Sequence, residues 1–355
     1  MSLENVDLNS AAFSQEESER DTLTSTLTGF DILSTQEHNL EADQLLRDGI
    51  ELYQKGDFQT ALVTLQKAHL IYWEMDDQAG AEKALEFLGK TCYSIGEYAK
   101  AIDYSQRSLT LAQRIKSYLS SVTILGTLGN AYRHLSEHSK AIEYQQQSLL
   151  MAQQHRDRCG EMAALNNLGL AHKAAGQHLK AIECEQKALE IAEELQDIKA
   201  LRQILKNLGN AYYALELYDR AIFYYEQRLE LAQKLGDQRL EGQVLRNLGN
   251  ACYALGNHEQ AIIYNRQRYT IAESLKDLRS QEQALASLCI SYDALGQTEQ
   301  AIDCYEKRLQ LARLLSDQRL EAHLLGSLKA ACYVVGDYVK ASDYSHQQLA
   351  AHSGS

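Results

Sequence analysis

One short stretch of the sequence has the spacing of a phosphate-binding loop. Residues 84–91 read Ala-Leu-Glu-Phe-Leu-Gly-Lys-Thr, a small residue and four others followed by Gly89, Lys90 and Thr91. In such a loop, backbone N–H groups and the lysine hold the phosphates and the hydroxyl binds Mg²⁺. The chemistry requires a strand before the loop and a helix after it, so the surrounding elements decide whether this spacing means nucleotide hydrolysis.

Those elements follow an internal repeat with a period of 40 residues. The pair Ala-Ile begins at Ala101, Ala141, Ala181, Ala221, Ala261 and Ala301. The pair Leu-Gly begins at Leu88, Leu128, Leu168, Leu208 and Leu248. Gly89 is therefore the glycine of the first Leu-Gly pair, and a residue without a side chain at this position lets two helices pack closely.

Each repeat contains two helical patterns joined by a turn. The first helix is expected to follow an N-capping carboxylate, at Asp157, Asp197, Asp237, Asp277 and Asp317. The turn is marked by glycine at Gly56, Gly96, Gly176, Gly256, Gly296 and Gly336, and by Ser136 and Glu216 in the other two repeats. Apolar residues recur three and four positions apart with no sustained alternation, which predicts about sixteen helices in eight hairpins and no strand.

This organisation argues against nucleotide chemistry. Gly89 would lie in the middle of a helix, and Lys90 occupies the position of Asn130 in the next repeat and of Asn210 and Asn250 further on. Without a flanking strand the phosphate loop has no structural context, so we expect no catalytic residue here.

The segment 207–232, NLGNAYYALELYDRAIFYYEQRLELA, resembles a tetratricopeptide repeat (TPR), and the likeness recurs eight times between residues 37 and 350. The usual repeat has about 34 residues. The 40-residue form is similar to the repeats of LGN/Pins adaptors, kinesin light chains and bacterial, notably cyanobacterial, multi-repeat proteins. The resemblance implies an all-α solenoid, or superhelix, over residues 37–355, with a polar last repeat acting as its cap.

Composition narrows the functional classes. The 355 residues include no proline, and 48 acidic against 35 basic residues give a net charge of -13, which disfavours general nucleic-acid binding. No apolar run reaches the roughly 18 residues of a membrane span. The N-terminus lacks the basic-then-apolar order of a secretory signal, so a cytoplasmic protein is expected.

The cysteines do not suggest a metal site or disulfides. There are seven, with no Cys-x-x-Cys pair, and most fall at positions that other repeats fill with tyrosine or histidine. Cys159 lies four residues after His155, but two ligands alone do not make a zinc site. We therefore predict reduced cysteines, no metal and no cofactor.

The resemblance implies a peptide-binding groove lined by the first helix of each repeat. Counting from the start of these helices, the predicted groove residues are Lys90, Asn130, Arg133, Asn166, Lys173, Gln203, Lys206, Asn210, Tyr213, Gln243, Arg246, Asn250 and Tyr253. Side-chain amides can pair with the backbone of an extended peptide, and the cations can pair with its carboxylates. An ordinary solvated helix face is the alternative interpretation.

Three arginines one period apart, Arg228, Arg268 and Arg308, occupy a position that is alanine in two other repeats. The sequence leaves two hypotheses open for them. They reach the floor of the groove, or they are tied to structural acids such as Glu241 or Glu321.

The resulting prediction is a non-enzymatic adaptor or scaffold that captures an extended, acidic protein segment. A peptide-responsive intracellular regulator resembling the Rap-type receptors and an assembly chaperone for a multi-subunit complex are the alternatives. Residues 1–36 lie outside the repeats and carry a net charge of -6, so this N-terminal arm is expected to be disordered and either to solvate the protein or to occupy the groove in cis.

Overall fold

The computed structural model describes residues 35–353, in which every regular element is an α-helix. The helices are α1 Thr35–Lys55, α2 Phe58–Glu74, α3 Gln78–Ile95, α4 Tyr98–Arg114, α5 Tyr118–His134, α6 His138–Gln154, α7 Arg158–Ala174, α8 His178–Glu194, α9 Ile198–Ala214, α10 Tyr218–Lys234, α11 Gln238–Ala254, α12 His258–Ser274, α13 Leu278–Ala294, α14 Thr298–Leu314, α15 Gln318–Val334 and α16 Tyr338–Ser353. The predicted all-α fold of paired helices is confirmed. Residues 1–34 of the predicted N-terminal arm lie outside the described residues, as does their proposed place in the groove, and residues 35 and 36 belong to α1.

Polar caps and left-handed turns set the helix boundaries. Asp197 accepts a hydrogen bond from the backbone N of Ala200 at 3.0 Å, and the predicted caps of α7, α11, α13 and α15 do the same for the residue three positions on. The turn inside each hairpin has positive φ, and Ser136 and Glu216 adopt φ of 61° and 60° where the other repeats have glycine. One residue per connection therefore reverses the chain.

The Leu-Gly glycines allow close helix packing, as predicted. A Cβ atom on Gly209 would lie 2.3 Å from Cε1 of Tyr225 on the following helix. At Gly249 it would lie 2.7 Å from Nδ2 of Asn265. Both distances are far shorter than van der Waals contact, so the partner side chain occupies the space that a larger residue would need.

The chain forms two compact units that divide between Ala131 and Tyr132. The core of the first unit includes Leu65, Leu85 and Leu88. In the second unit, successive helices pack against one another from α6 to α16. Its core is built from buried residues of the same repeat positions, such as Leu208 and Leu248.

The alternation of buried and exposed positions orients the first helices of the second unit. In α9, Ile204, Leu205 and Leu208 are buried, whereas Gln203 and Lys206 are exposed. The same pattern recurs one period later in α11. The first helices α11 and α13 of adjacent repeats also contact each other directly, in addition to their contacts with α12, which lies between them in the sequence. A polar face made of first-helix residues therefore follows from the repeat.

The last repeat has both polar and apolar residues on its surface. Ser342 is exposed, in keeping with a polar cap, but Val339 and Leu349 of α16 are also exposed. The role of this repeat as a cap stays a prediction.

Candidate functional site

The residues that resemble a phosphate loop all have partners inside the first unit. Gly89 lies within α3, and Nζ of Lys90 lies 2.5 Å from Oε1 of Glu86, a carboxylate that is only 3% exposed. Nζ is also 4.7 Å from the centroid of the Phe87 ring. The hydroxyl of Thr91 donates to the carbonyl of Phe87 at 2.7 Å. These residues form part of a helix and its packing, not a loop around phosphate.

The second unit presents most of its predicted groove residues to solvent. Gln203, Lys206 and Tyr213 of α9 are exposed, as are Gln243, Arg246, Asn250 and Tyr253 of α11. Asn166, Lys173, Asn210 and Arg133 are partly exposed. In the first unit, Lys90 and Asn130 are partly exposed. Nothing in the structure tests binding at these positions, so the groove assignment stays a prediction.

A first pocket lies where α11, α12 and α13 meet. Its volume is about 400 Å³, and its lining includes two predicted groove residues, Gln243 and Arg246. Arg268 on α12 and Gln283 on α13 line the same space. The pocket therefore brings together a first-helix cation and one of the three periodic arginines, which the sequence left either at the groove floor or tied to acids.

A second pocket is lined by residues further along α11 and α13, by one residue of α12 and by one residue of α9. It has a volume of about 180 Å³ and is lined by Tyr213, Asn250, Tyr253 and Ile290, among others. The aromatic rings and the amide combine apolar surface with hydrogen-bonding groups. Such a lining suits a side chain and its adjoining backbone.

The three periodic arginines have different environments. Arg308 donates two hydrogen bonds to Oε1 of Glu282, at 3.1 and 2.7 Å. Nη2 of Arg268 donates to Oε1 of Gln283 at 2.9 Å. Nε of Arg228 is buried with no hydrogen-bond partner among the described residues. Of the three arginines, Arg308 alone has an ion pair with an acid among the described residues.

The sequence offered Glu241 and Glu321 as examples of acids that could pair with these arginines, but both bond to other residues. Glu241 accepts from Gln233 at 3.1 Å, and Glu321 accepts from Arg313 at 2.7 Å. Each of these bonds joins the first turns of a first helix to the end of the second helix that precedes it. The acid that Arg308 does meet is Glu282, 26 residues earlier on the other helix of its own hairpin.

Sequence reasoning missed a buried polar chain beneath two groove residues. Oε1 of Glu185, which is 2% exposed, accepts from Nδ2 of Asn207 at 2.9 Å. The same Asn207 nitrogen contacts Oδ1 of Asn166 at 3.0 Å, and Gln203 donates to Oδ1 of Asn207 at 3.0 Å. Burial raises the pKa of Glu185 to about 8, while Asn207 and Lys173 oppose the shift. A lone Glu at a position that is Leu, Ser, Gln, Tyr or Asn in the other repeats was the available signal.

The cysteines mostly fill the core. Cys92, Cys252, Cys289, Cys304 and Cys332 are buried, Cys184 is partly buried and Cys159 is exposed. Over the described part of the chain, no cluster of three or more His, Cys, Asp or Glu side chains could hold a metal ion. Within the same residues, no helix combines the length and apolar character needed to cross a membrane.

Repeated helical hairpins with a common turn and a common glycine contact define an α-helical repeat protein. The chain belongs to the tetratricopeptide-repeat family. Models described as "Tetratricopeptide repeat" match residues 120–194 and 200–274, and also residues 84–116 and 284–319. Together these matches cover more than half of the chain. No curated protein matches it.

Solved structures share the fold at low sequence identity. The quorum sensor NprR from B. thuringiensis, in its apo form, is 15% identical with a TM-score of 0.55, covering 97% of this chain and 96% of that one. A signal transduction ATPase with a tetratricopeptide-repeat sensor from Pyrococcus horikoshii is 18% identical with a TM-score of 0.54, over 87% of this chain and 52% of that one. BtubC from P. vanneervenii is 21% identical with a TM-score of 0.51, over 62% of this chain and 92% of that one.

Proposed function

We propose that this chain is a non-enzymatic adaptor that captures an extended, acidic segment of a partner protein. The segment lies along the exposed face of α9 and α11. The observation that carries the proposal is the convergence of predicted groove residues on two neighbouring pockets of the second unit. One pocket is cationic and the other combines aromatic rings with an amide.

The chemistry of the face favours an acidic partner. Lys206 and Arg246 are exposed one period apart, and neither has an ion pair within the described part of the chain. The protein as a whole has a net charge of -13, and these two cations lie on a face with no acid among its predicted groove residues. Exposed amides, among them Gln203, Gln243 and Asn250, can hydrogen-bond the backbone of an extended segment whatever its sequence.

Charge reversal tests the proposal. We expect fluorescein-labelled hexaglutamate to bind the full chain, and Lys206→Glu with Arg246→Glu to weaken it by about tenfold or more, which corresponds to ~1.4 kcal/mol. Hexaglutamine and hexalysine should bind weakly or not at all. Fluorescence anisotropy at low and moderate salt measures the affinities, and the difference should shrink as salt screens the charges.

The matched control changes the net charge by the same amount elsewhere. Lys199 and Lys234 are exposed and lie outside the predicted groove. The double variant Lys199→Glu with Lys234→Glu should keep its affinity. Equal losses in the two double variants would mean that only the overall charge matters, and the groove assignment would then be abandoned.

A peptide-responsive regulator is the second candidate. NprR, described as a quorum sensor, matches nearly the full length of both chains, which is what a shared whole-chain architecture requires. In this case a bound peptide would change the radius of gyration in small-angle X-ray scattering. An adaptor with a rigid groove would keep the same radius with and without hexaglutamate. The assembly-chaperone alternative stays a prediction, as does occupation of the groove by residues 1–36.

A further inference from the structure

We infer that the pocket between α11, α12 and α13 binds one side-chain carboxylate of the captured segment, and that Arg268 is its main ligand. The inference rests on the proposed function, because it assigns one acidic side chain of the partner to one pocket. Four side chains define this carboxylate pocket: Gln243, Arg246, Arg268 and Gln283.

Arg268 is a buried cation with unused hydrogen-bonding capacity. The residue is 6% exposed, yet it lines an open pocket. A guanidinium has five N–H donors. The only hydrogen bond of this group within the described residues runs from Nη2 to Gln283. Burying a charge is costly unless the charge is paired, so a buried guanidinium facing a pocket favours an anion there.

The surrounding charges leave the pocket positive. Arg246 and Arg239 also line it, and the only acid among its lining residues is Asp277. Asp277 is already engaged as a helix cap, accepting from the backbone N and the hydroxyl of Ser280. Burial and the neighbouring charge of Arg246 lower the pKa of Arg268 to about 10, while Asp277 and Glu282 act in the opposite direction, so the group is still protonated at neutral pH.

The equivalent arginine of the next repeat shows what internal neutralisation looks like. Arg308 lies one period after Arg268, but both of its bonds go to the carboxylate of Glu282. The position equivalent to Glu282 in the hairpin of Arg268 is Gly242, which has no side chain, and the bond of Arg268 goes instead to the Gln283 amide of the following repeat. A carboxylate supplied by a ligand would complete at Arg268 the pair that the protein itself completes at Arg308.

The lining favours a carboxylate over a phosphate. A carboxylate carries one negative charge and accepts bidentate bonds from a guanidinium. A phosphate monoester carries close to two negative charges at neutral pH. The Asp277 carboxylate lines the same pocket and would repel the second charge. The two amides supply further donors without adding charge.

A small probe tests the pocket without relying on peptide capture. The side-chain Nε–Hε signals of Arg268 and Arg308 are followed by NMR in the full chain and assigned with Arg268→Lys and Arg308→Lys. The probe is N-acetylglutamate amide, titrated at constant ionic strength. We expect a saturable shift of the Arg268 signal, no shift with the neutral N-acetylglutamine amide, and an unchanged Arg308 signal.

A pair of isosteric variants provides the second measurement. Arg268→Met should weaken hexaglutamate binding by tenfold or more without lowering the denaturation midpoint, because it removes a buried charge that has no ion pair among the described residues. Arg308→Met should lower the midpoint, because it leaves Glu282 unpaired, and should leave the affinity unchanged. If Arg268 had only a structural role, Arg268→Met would lower the denaturation midpoint and leave the hexaglutamate affinity unchanged.

The outcomes separate this inference from the proposed function. The carboxylate pocket is overturned if Arg268→Met binds hexaglutamate like the unmodified chain, if the glutamate amide shifts neither arginine or both equally, or if N-acetylphosphoserine amide binds more tightly. The proposed function fails instead if the glutamate amide binds at Arg268 but hexaglutamate shows no preference over hexaglutamine.

Discussion

Lys90 and Arg268 show how neighbours decide what a cation can do. Lys90 belongs to a motif-like stretch, but its Nζ is held by Glu86. Arg268 belongs to no motif, but it is buried against a pocket, and an amide is its only hydrogen-bonding partner among the described residues. Whether a cation is available to a ligand therefore depends on the residues that pair with it in the fold, and a sequence motif does not show those residues.

The buried Glu185 should make stability depend on pH. Its pKa is raised from 4.5 to about 8, so the folded state holds a proton that the unfolded chain releases. The stabilisation that protonated Glu185 provides is complete below the pKa of 4.5 that the group has in the unfolded chain, and it is lost as pH rises through about 8. In that window the contribution should fall by at most ~1.4 kcal/mol per pH unit.

Glu185→Gln should remove this dependence and keep the neutral form of the hydrogen bond to Asn207. We expect the variant to be more stable than the unmodified chain at alkaline pH, with the advantage shrinking as pH falls. Urea denaturation across the range, followed by circular dichroism, measures the difference. A constant difference at every pH would show that Glu185 does not titrate in this window.

At the scale of the helical hairpin, replacing glycine by alanine should have opposite effects on stability at two positions. Gly209→Ala should destabilise the protein by roughly 1–3 kcal/mol, because the new methyl group would overlap the Tyr225 ring. At Gly242 a Cβ would lie 3.8 Å from Cγ2 of Ile271, which is ordinary contact. Gly242→Ala should therefore stabilise its helix by about 0.5–1 kcal/mol.

Thermal unfolding of the two variants measures both effects, and each serves as the control for the other. Both glycines lie inside first helices, so helix propensity favours alanine equally in the two. Stabilisation by Gly209→Ala would show that the Leu-Gly contact is loose. It would also remove the packing reason for the glycine at this position.

At the scale of the whole molecule, the regular period predicts that one repeat can be removed. Excision of residues 238–277 joins Asp237 to Leu278, and Asp237 then takes the place of Asp277 as an N-cap. Because repeat proteins gain stability from neighbouring interfaces, the shortened chain should fold with a lower denaturation midpoint. It should lose hexaglutamate affinity, since Arg246 and Arg268 leave with the excised repeat.

The control excision removes residues 238–257, a single helix with its turn. It places α12 directly after α10, so two second helices follow each other and their apolar faces cannot be buried as before. We expect loss of helical signal or aggregation. Equal stability of the two shortened chains would contradict the neighbour-by-neighbour account of folding.

The sequence by itself determined the repeat, the helix boundaries and the fold class. Asp197 and Gly209 act through neighbours on the same helix or the adjoining one, and a strict period keeps those neighbours constant. Most of the predicted face of α9 and α11 followed for the same reason, because burial of Leu208 and Leu248 leaves Lys206 and Arg246 on the solvent side.

Only the tertiary structure decided which polar side chains are paired. Arg228, Arg268 and Arg308 share one repeat position, yet Arg268 and Arg308 bond to residues 15 and 26 positions away, respectively, on other helices. Glu185 likewise depends on Asn207 from the next repeat. The free energy of a charge is set by burial and by donors across helix contacts, and these differ between repeats that are alike in backbone and period.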